Sequence, residues 1–309
     1  QDNTTGSYNV ASGVNSLQTN TTGANNVAMG QGALRLNTTA SNNTAVGHGS
    51  LYANTTGADN TSIGSSSLAA NTTGTLNTAS GSNALRYNTT GSNNTALGRL
   101  ALYTNTTADN NTAVGLSALF ANTTGASNVA VGAFSLDANT TGTGNISIGV
   151  GALGSNTTAS EGTGVGDGCL AANTTGALNS AFGAQTLAAC TTGGSNTAIG
   201  GYALNDATTG FQNTAAGVNT LAVVTTGGSN TAFGYNAGAG ITNGSNNLIL
   251  GNGAGNAGSP SGGLTQEDHL ICLGNNSITA AYIKVAWTVT SDQRDKADIT
   301  DFTHGLDYI

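Results

Sequence analysis

The sequence is poor in charge, in proline and in long apolar runs. Only 6% of its 309 residues are charged, against roughly 25% in an ordinary globular domain. Before residue 258 its only basic side chains are Arg35, Arg86 and Arg99. Binding a phosphate backbone takes several cations together, so nucleic acid is not an expected partner. The net charge of −8 agrees with that, and its carboxylates are too scattered to suggest a cation-binding patch. No run of about 20 apolar residues could cross a membrane as a helix, and no charged-then-apolar leader opens the chain. The first residue is Gln1 rather than Met, as expected of a fragment or a processed product. Cys169, Cys190 and Cys272 are odd in number and lack CxxC spacing. They give neither a disulfide framework nor a zinc site, and read as small buried thiols. Low charge and 47 Gly would suit a flexible linker, but the 37% hydrophobic content is too high for a solvated coil.

What is present is a repeat. NTTG or a close variant recurs with a strict 17-residue period from Asn3 to the variant beginning at Ile241, giving fifteen units without insertion or deletion through residue 257. The shared pattern is N-T-T-G-x-x-N-T-A-Φ-G-x-x-A-L-x-x, with Φ apolar. Slots are numbered here from the Asn of NTTG. Slot 11 is Gly in all fifteen units (Gly13, Gly30 and Gly47 first), slot 7 is Asn in fourteen (Asn26 among them) and slot 15 is Leu in thirteen (Leu34 among them). Such recurrence within one chain marks structural equivalence between units.

The triplet T-A-Φ reads as a three-residue strand closed by Gly. Side chains alternate faces along a strand, so slots 8 and 10 share one face and the small slot 9 points to the other. A persistently small residue implies close approach of another backbone or subunit. The strict Gly of slot 11 supplies positive φ or the same close approach. Strands this short do not stand alone, and a 17-residue unit is too short for a helix pair. The expected fold is therefore all-β: a β-solenoid or β-roll of fifteen 17-residue coils, with Asn and Thr stacked in hydrogen-bonded ladders. One Leu, one Val-like residue and two small residues per coil are thin burial against the entropy of ordering a whole coil. This points to burial shared between subunits, hence a homo-oligomeric rod.

Three regions are expected: a repeat shaft over 1–257, a small β segment over 258–290, and a charged start of a further module over 291–309. HLICLG (269–274) and AAYIKVAWTVT (280–290) read as strands, with Trp287 as the anchor of a small core.

The segment AYIKVAWTVTSDQRDKADI…HGLDYI resembles the junction between a bacteriophage tail fibre and its C-terminal intramolecular chaperone, of the endosialidase-type auto-processing class. The NTAxGxxAL units are similar to tail-fibre repeats and, more distantly, to the β-roll heads of trimeric autotransporter adhesins. The family's chaperone opens with Ser-Asp-x-Arg-x-Lys, matched here by Ser291, Asp292, Arg294 and Lys296. The resemblance implies a homotrimer on the virion that attaches to a host receptor, glycan or protein. Its chaperone would template trimerisation and cut itself off at Thr290–Ser291, with Ser291 as nucleophile and Lys296 as base. Ser291 and Lys296 are five apart, about 140° on one helix, so the pair needs a turn or a neighbouring chain.

No cofactor or metal is expected. His48, His269 and His304 lie far apart in sequence, and the acidic residues recur in no calcium-loop spacing. Tyr52, Arg86, Tyr87, Arg99, Tyr103 and Phe120, with Arg35, occupy variable slots of units two to seven. Aromatics with Arg suit sugar stacking or a protein receptor, or are plain surface decoration. Two further functions share the repeat: a bacterial surface adhesin, and an ice-binding solenoid that presents its Thr-Thr pairs on a monomeric rod.

Overall fold

A computed structural model of the chain describes residues 3–259 and 261–280. Two units divide the chain, at Asn276 and Ser277. The first is a β-solenoid. Sixteen three-residue strands, from β1 (Val10–Ser12) through β15 (Leu248–Leu250) to β16 (Ile271–Leu273), lie in sequence order in one parallel sheet. Like residues pair with like, as in Ala28 with Ala45 and Val46 with Ile63. The all-β solenoid with 17-residue spacing is thus present. The stack also runs past the boundary expected at residue 257. The last coil, from Leu248 to its partner Ile271, is longer than the others, because a six-residue insertion around Ser259 bulges from it while HLICLG keeps register.

Each coil is built from four positions with positive φ. Slots 6, 13 and 15 take values near +55°, as in Asn25 (58°), Asn15 (57°) and Leu34 (50°), and slot 11 takes +115° to +142°. Gly13, Gly30 and Gly47 sit at +132°, +127° and +133°. A Cβ on Gly13 would stand 2.6 Å from the Gly30 carbonyl carbon in the next coil, so conformation and close approach both require glycine. These turns reverse the direction of backbone bonding. Slot 8 donates forward (Val27 N–H to Asn43 O, 2.8 Å), whereas slot 11 donates backward (Gly30 N–H to Ser12 O, 2.7 Å). Every coil is therefore tied to both neighbours.

The core is closed by one chain. Slot 9 points inward and the Leu column of slot 15 faces it: a Cβ on Gly164, in slot 9, would meet Leu153 Cδ1 at 3.4 Å. The small slot 9 residue is explained by that Leu of the same chain, in place of the other backbone or subunit expected. Twelve leucines, Leu34 to Leu221, are fully buried. Leu in the left-handed region costs about 1–2 kcal/mol, which burial worth about 1.5–3 kcal/mol per Leu offsets.

Two asparagine ladders fill the rest of the interior. In slot 1, Asn37 Nδ2 donates to Asn20 Oδ1 at 2.8 Å and to Ala40 O at 3.0 Å. In slot 7, Asn43 N–H donates to Asn26 Oδ1 at 3.0 Å while Asn26 Nδ2 donates to Ala40 O at 2.9 Å. From Asn20 and Asn26 onward both rows are buried, so buried amides pair with each other and with turn carbonyls. The slot 1 row stops at Asn173, because Cys190, Ala207, Val224 and Ile241 take the later positions. With no amide above it, Asn173 Oδ1 is the one buried side-chain polar atom without a partner among the described residues.

Candidate functional site

The outward sheet face follows from strand alternation. Slot 8, mostly Thr, is half-buried, and slot 10 stands out as a row of apolar side chains. Met29 (46% exposed), Ile63, Leu97, Ile148, Phe182, Ile199 (50%), Phe233 and Leu273 belong to it. In parallel register these side chains make an apolar seam, interrupted by Ser80 and narrowed at Ala216, on a chain with few charges to break it.

A second feature lies on slots 16 and 17 of neighbouring coils. Arg35 Nη1 donates to the Tyr52 hydroxyl at 2.6 Å, its Nε donates to Gln18 Oε1 at 2.9 Å, and its guanidinium lies 5.5 Å from the Tyr52 ring centre. Two coils beyond Tyr52, Arg86 covers Tyr87 at 5.4 Å and donates to Asn83 Oδ1 at 3.2 Å. Tyr87 meets Tyr103 edge to face at 5.0 Å, and Tyr103 stacks on Phe120 at 5.2 Å with planes 3° apart. Asp137 follows in the same slot, half-buried, its carboxyl pushed up by desolvation. Five of the six predicted contact residues (Tyr52, Arg86, Tyr87, Tyr103 and Phe120) thus lie in one column, broken by Ala69 and Ala70. Arg99 does not join it. It is exposed in slot 12, beyond the strand Thr95–Leu97.

Among the described residues no group of three His, Cys, Asp or Glu could hold a metal ion. Burial pushes the Cys169 thiol up to about 12 and Cys190 to about 11, so both are protonated at neutral pH and are poor nucleophiles. Cys190 Sγ–H donates to Gly193 O at 3.3 Å, in place of the asparagine amide of earlier coils. His269 pairs with Asn246 Nδ2 through its Nδ1 at 2.8 Å, continuing a surface row. No described helix is long and apolar enough to cross a membrane. From Asn20 to Asn173 the slot 1 Asn of each NTT sequon is buried, so the folded coil withholds it from glycosylation, whereas Asn3 in the first unit is exposed. Thr290, Ser291 and Lys296, like Trp287 and His304, lie outside the described residues.

No protein-family model matches the chain, and no curated protein is similar to it.

Proposed function

We propose that this chain is the shaft of a non-enzymatic, host-recognition fibre. It is a homotrimeric rod carried on a virion, with the aromatic column turned toward a receptor. The observation that supports this reading best is the slot 10 seam. A monomer would hold Met, Ile, Val, Leu and Phe in water along most of the stack, with breaks at Ser80 and Ala216, at about 25 cal/mol per Å² of apolar area. Three copies packed seam to seam would cover it, over a length of roughly 70 Å at about 4.8 Å per coil. On this reading the segment from Ser291 opens a chaperone module that cleaves Thr290–Ser291 once, with Ser291 attacking and Lys296 accepting its proton. Cryo-electron microscopy of the purified protein tests the proposal. Rods with three-fold symmetry about the long axis are expected; particles one solenoid wide would overturn it. A β-roll adhesin on a bacterial surface would share these rods, and would differ in carrying a membrane anchor.

A second reading draws on slot 3, where fourteen exposed Thr form a row. The slot 2 hydroxyls donate to the next coil's carbonyl, as Thr38 Oγ1 does to Thr55 O at 3.1 Å. One free hydroxyl rank remains, where two would make an ice-binding face. That reading requires thermal hysteresis from a monomer.

A further inference from the structure

The charge distribution around the aromatic column points to its ligand. Three guanidiniums, those of Arg35, Arg86 and Arg99, stand on the solenoid of a chain whose net charge is −8, and none makes an ion pair among the described residues. Arg35 is held by Gln18 and Tyr52, and Arg86 by Asn83 and the Tyr87 ring. Both are oriented by neutral partners and not by a carboxylate, with little rotamer freedom left to lose on binding. Beside Arg86 the Tyr87–Tyr103–Phe120 rings brace one another across three coils. The column is also polar along its length: Arg86 stands at one end and the half-buried Asp137 at the other. A ligand suited to it has an apolar C–H face for the rings and an anionic group placed toward Arg86, where a guanidinium can bind a carboxylate through two parallel N–H bonds.

We propose, resting on the fibre reading above, that residues 86–120 of this column bind an acidic saccharide, with Arg86 taking its carboxylate, the Tyr87 ring carrying its C–H face, and Tyr103, stacked on Phe120, bracing Tyr87. An acidic peptide would satisfy Arg86 but makes no use of a rigid aromatic shelf. A neutral sugar would satisfy the shelf but leave the guanidinium unpaired.

The test is isothermal titration of the full chain with an oligogalacturonate hexamer and with sialyl-lactose. Maltohexaose and a poly-glutamate peptide serve as comparison ligands. Arg86→Gln, Tyr87→Ala and Tyr103→Ala are measured beside Tyr235→Ala, an exposed tyrosine far from the column. Binding of at least one acidic saccharide, weakened about tenfold or more by Arg86→Gln and by each column tyrosine variant but not by Tyr235→Ala, is expected. Equal binding of poly-glutamate with no effect of the tyrosine variants would overturn the proposal in favour of plain charge attraction. No binding of either acidic saccharide, or none that depends on Arg86, also overturns it. Native mass is read on the same samples. A trimer without acidic-saccharide binding refutes this inference and leaves the fibre standing; a monomer refutes the fibre, whatever it binds.

Discussion

The slot 1 ladder can be broken at one rung, and Asn105→Ala is the cleanest break. Asn105 Nδ2 donates to Asn88 Oδ1 at 2.8 Å and to Ala108 O at 3.0 Å, and its Oδ1 accepts from Asn122 Nδ2 at 2.9 Å. After the substitution Ala108 O still accepts from Asn94 at 2.8 Å, and Asn122 still donates to Gly125 O at 2.9 Å. Asn88 Oδ1 keeps no side-chain donor and enters the state that Asn173 Oδ1 already occupies. A buried orphan costs about 1–3 kcal/mol, and the lost bonds add about 1 kcal/mol. The expected loss is therefore about 2–4 kcal/mol. Cys190→Ala removes a side chain from the same slot one coil past the ladder's end. It orphans nothing new, and should cost only about 1 kcal/mol. Because each coil leans on its neighbours alone, the loss should be local. Hydrogen exchange followed by mass spectrometry reads it in peptides spanning coils five to eight, with urea unfolding as the global measure. If Asn105→Ala is no more damaging than Cys190→Ala, the ladder is not what holds the interior.

Three further outcomes follow from the same geometry. Gly162→Asn should stabilise by about 1–2 kcal/mol, since it fills the one gap in the slot 7 ladder and stiffens the unfolded chain; Gly162 is not at positive φ, and a urea series checks it. Asp137→Asn should raise the melting temperature at neutral pH and lose that gain near pH 3. Folding raises the Asp137 pKa, so its favourable contribution is complete below the ordinary carboxylate range and disappears as pH rises through the folded value. Phe182→Asp with Ile199→Asp should leave the circular dichroism of the coil intact, because both side chains are exposed, while reducing the native mass to that of one chain.

Much of the coil could be read from the sequence, because a 17-residue period brings equivalent residues into register whatever the path between them. The T-A-Φ strand and the need for Gly13, Gly30 and Gly47 followed from it. The coil's interior did not. The stacking of Asn on its own copies was legible from the period, but Asn usually marks surface, and only the closed path shows that slots 1 and 7 lie inside. Leu in slot 15 gives no signal of positive φ, since the conformation is imposed by backbone bonds to both neighbouring coils. Slot 9 was expected to face another backbone or a subunit, because sequence spacing does not tell where the chain returns; its neighbour is Leu of the same chain. The last coil was missed as a coil because its insertion hides the period, although its strand was legible. The aromatic residues could be placed in slots 16 and 17, but that Tyr87 and Tyr103 touch across two different slots depends on side-chain directions between adjacent coils.

Sedimentation equilibrium of the unmodified protein tests the central claim most directly. The account predicts three times the 30.1 kDa chain mass, held at micromolar concentration and insensitive to salt, as an apolar seam requires. A stable single-chain mass would contradict it, and would mean that the exposed row of slot 10 serves something other than self-association.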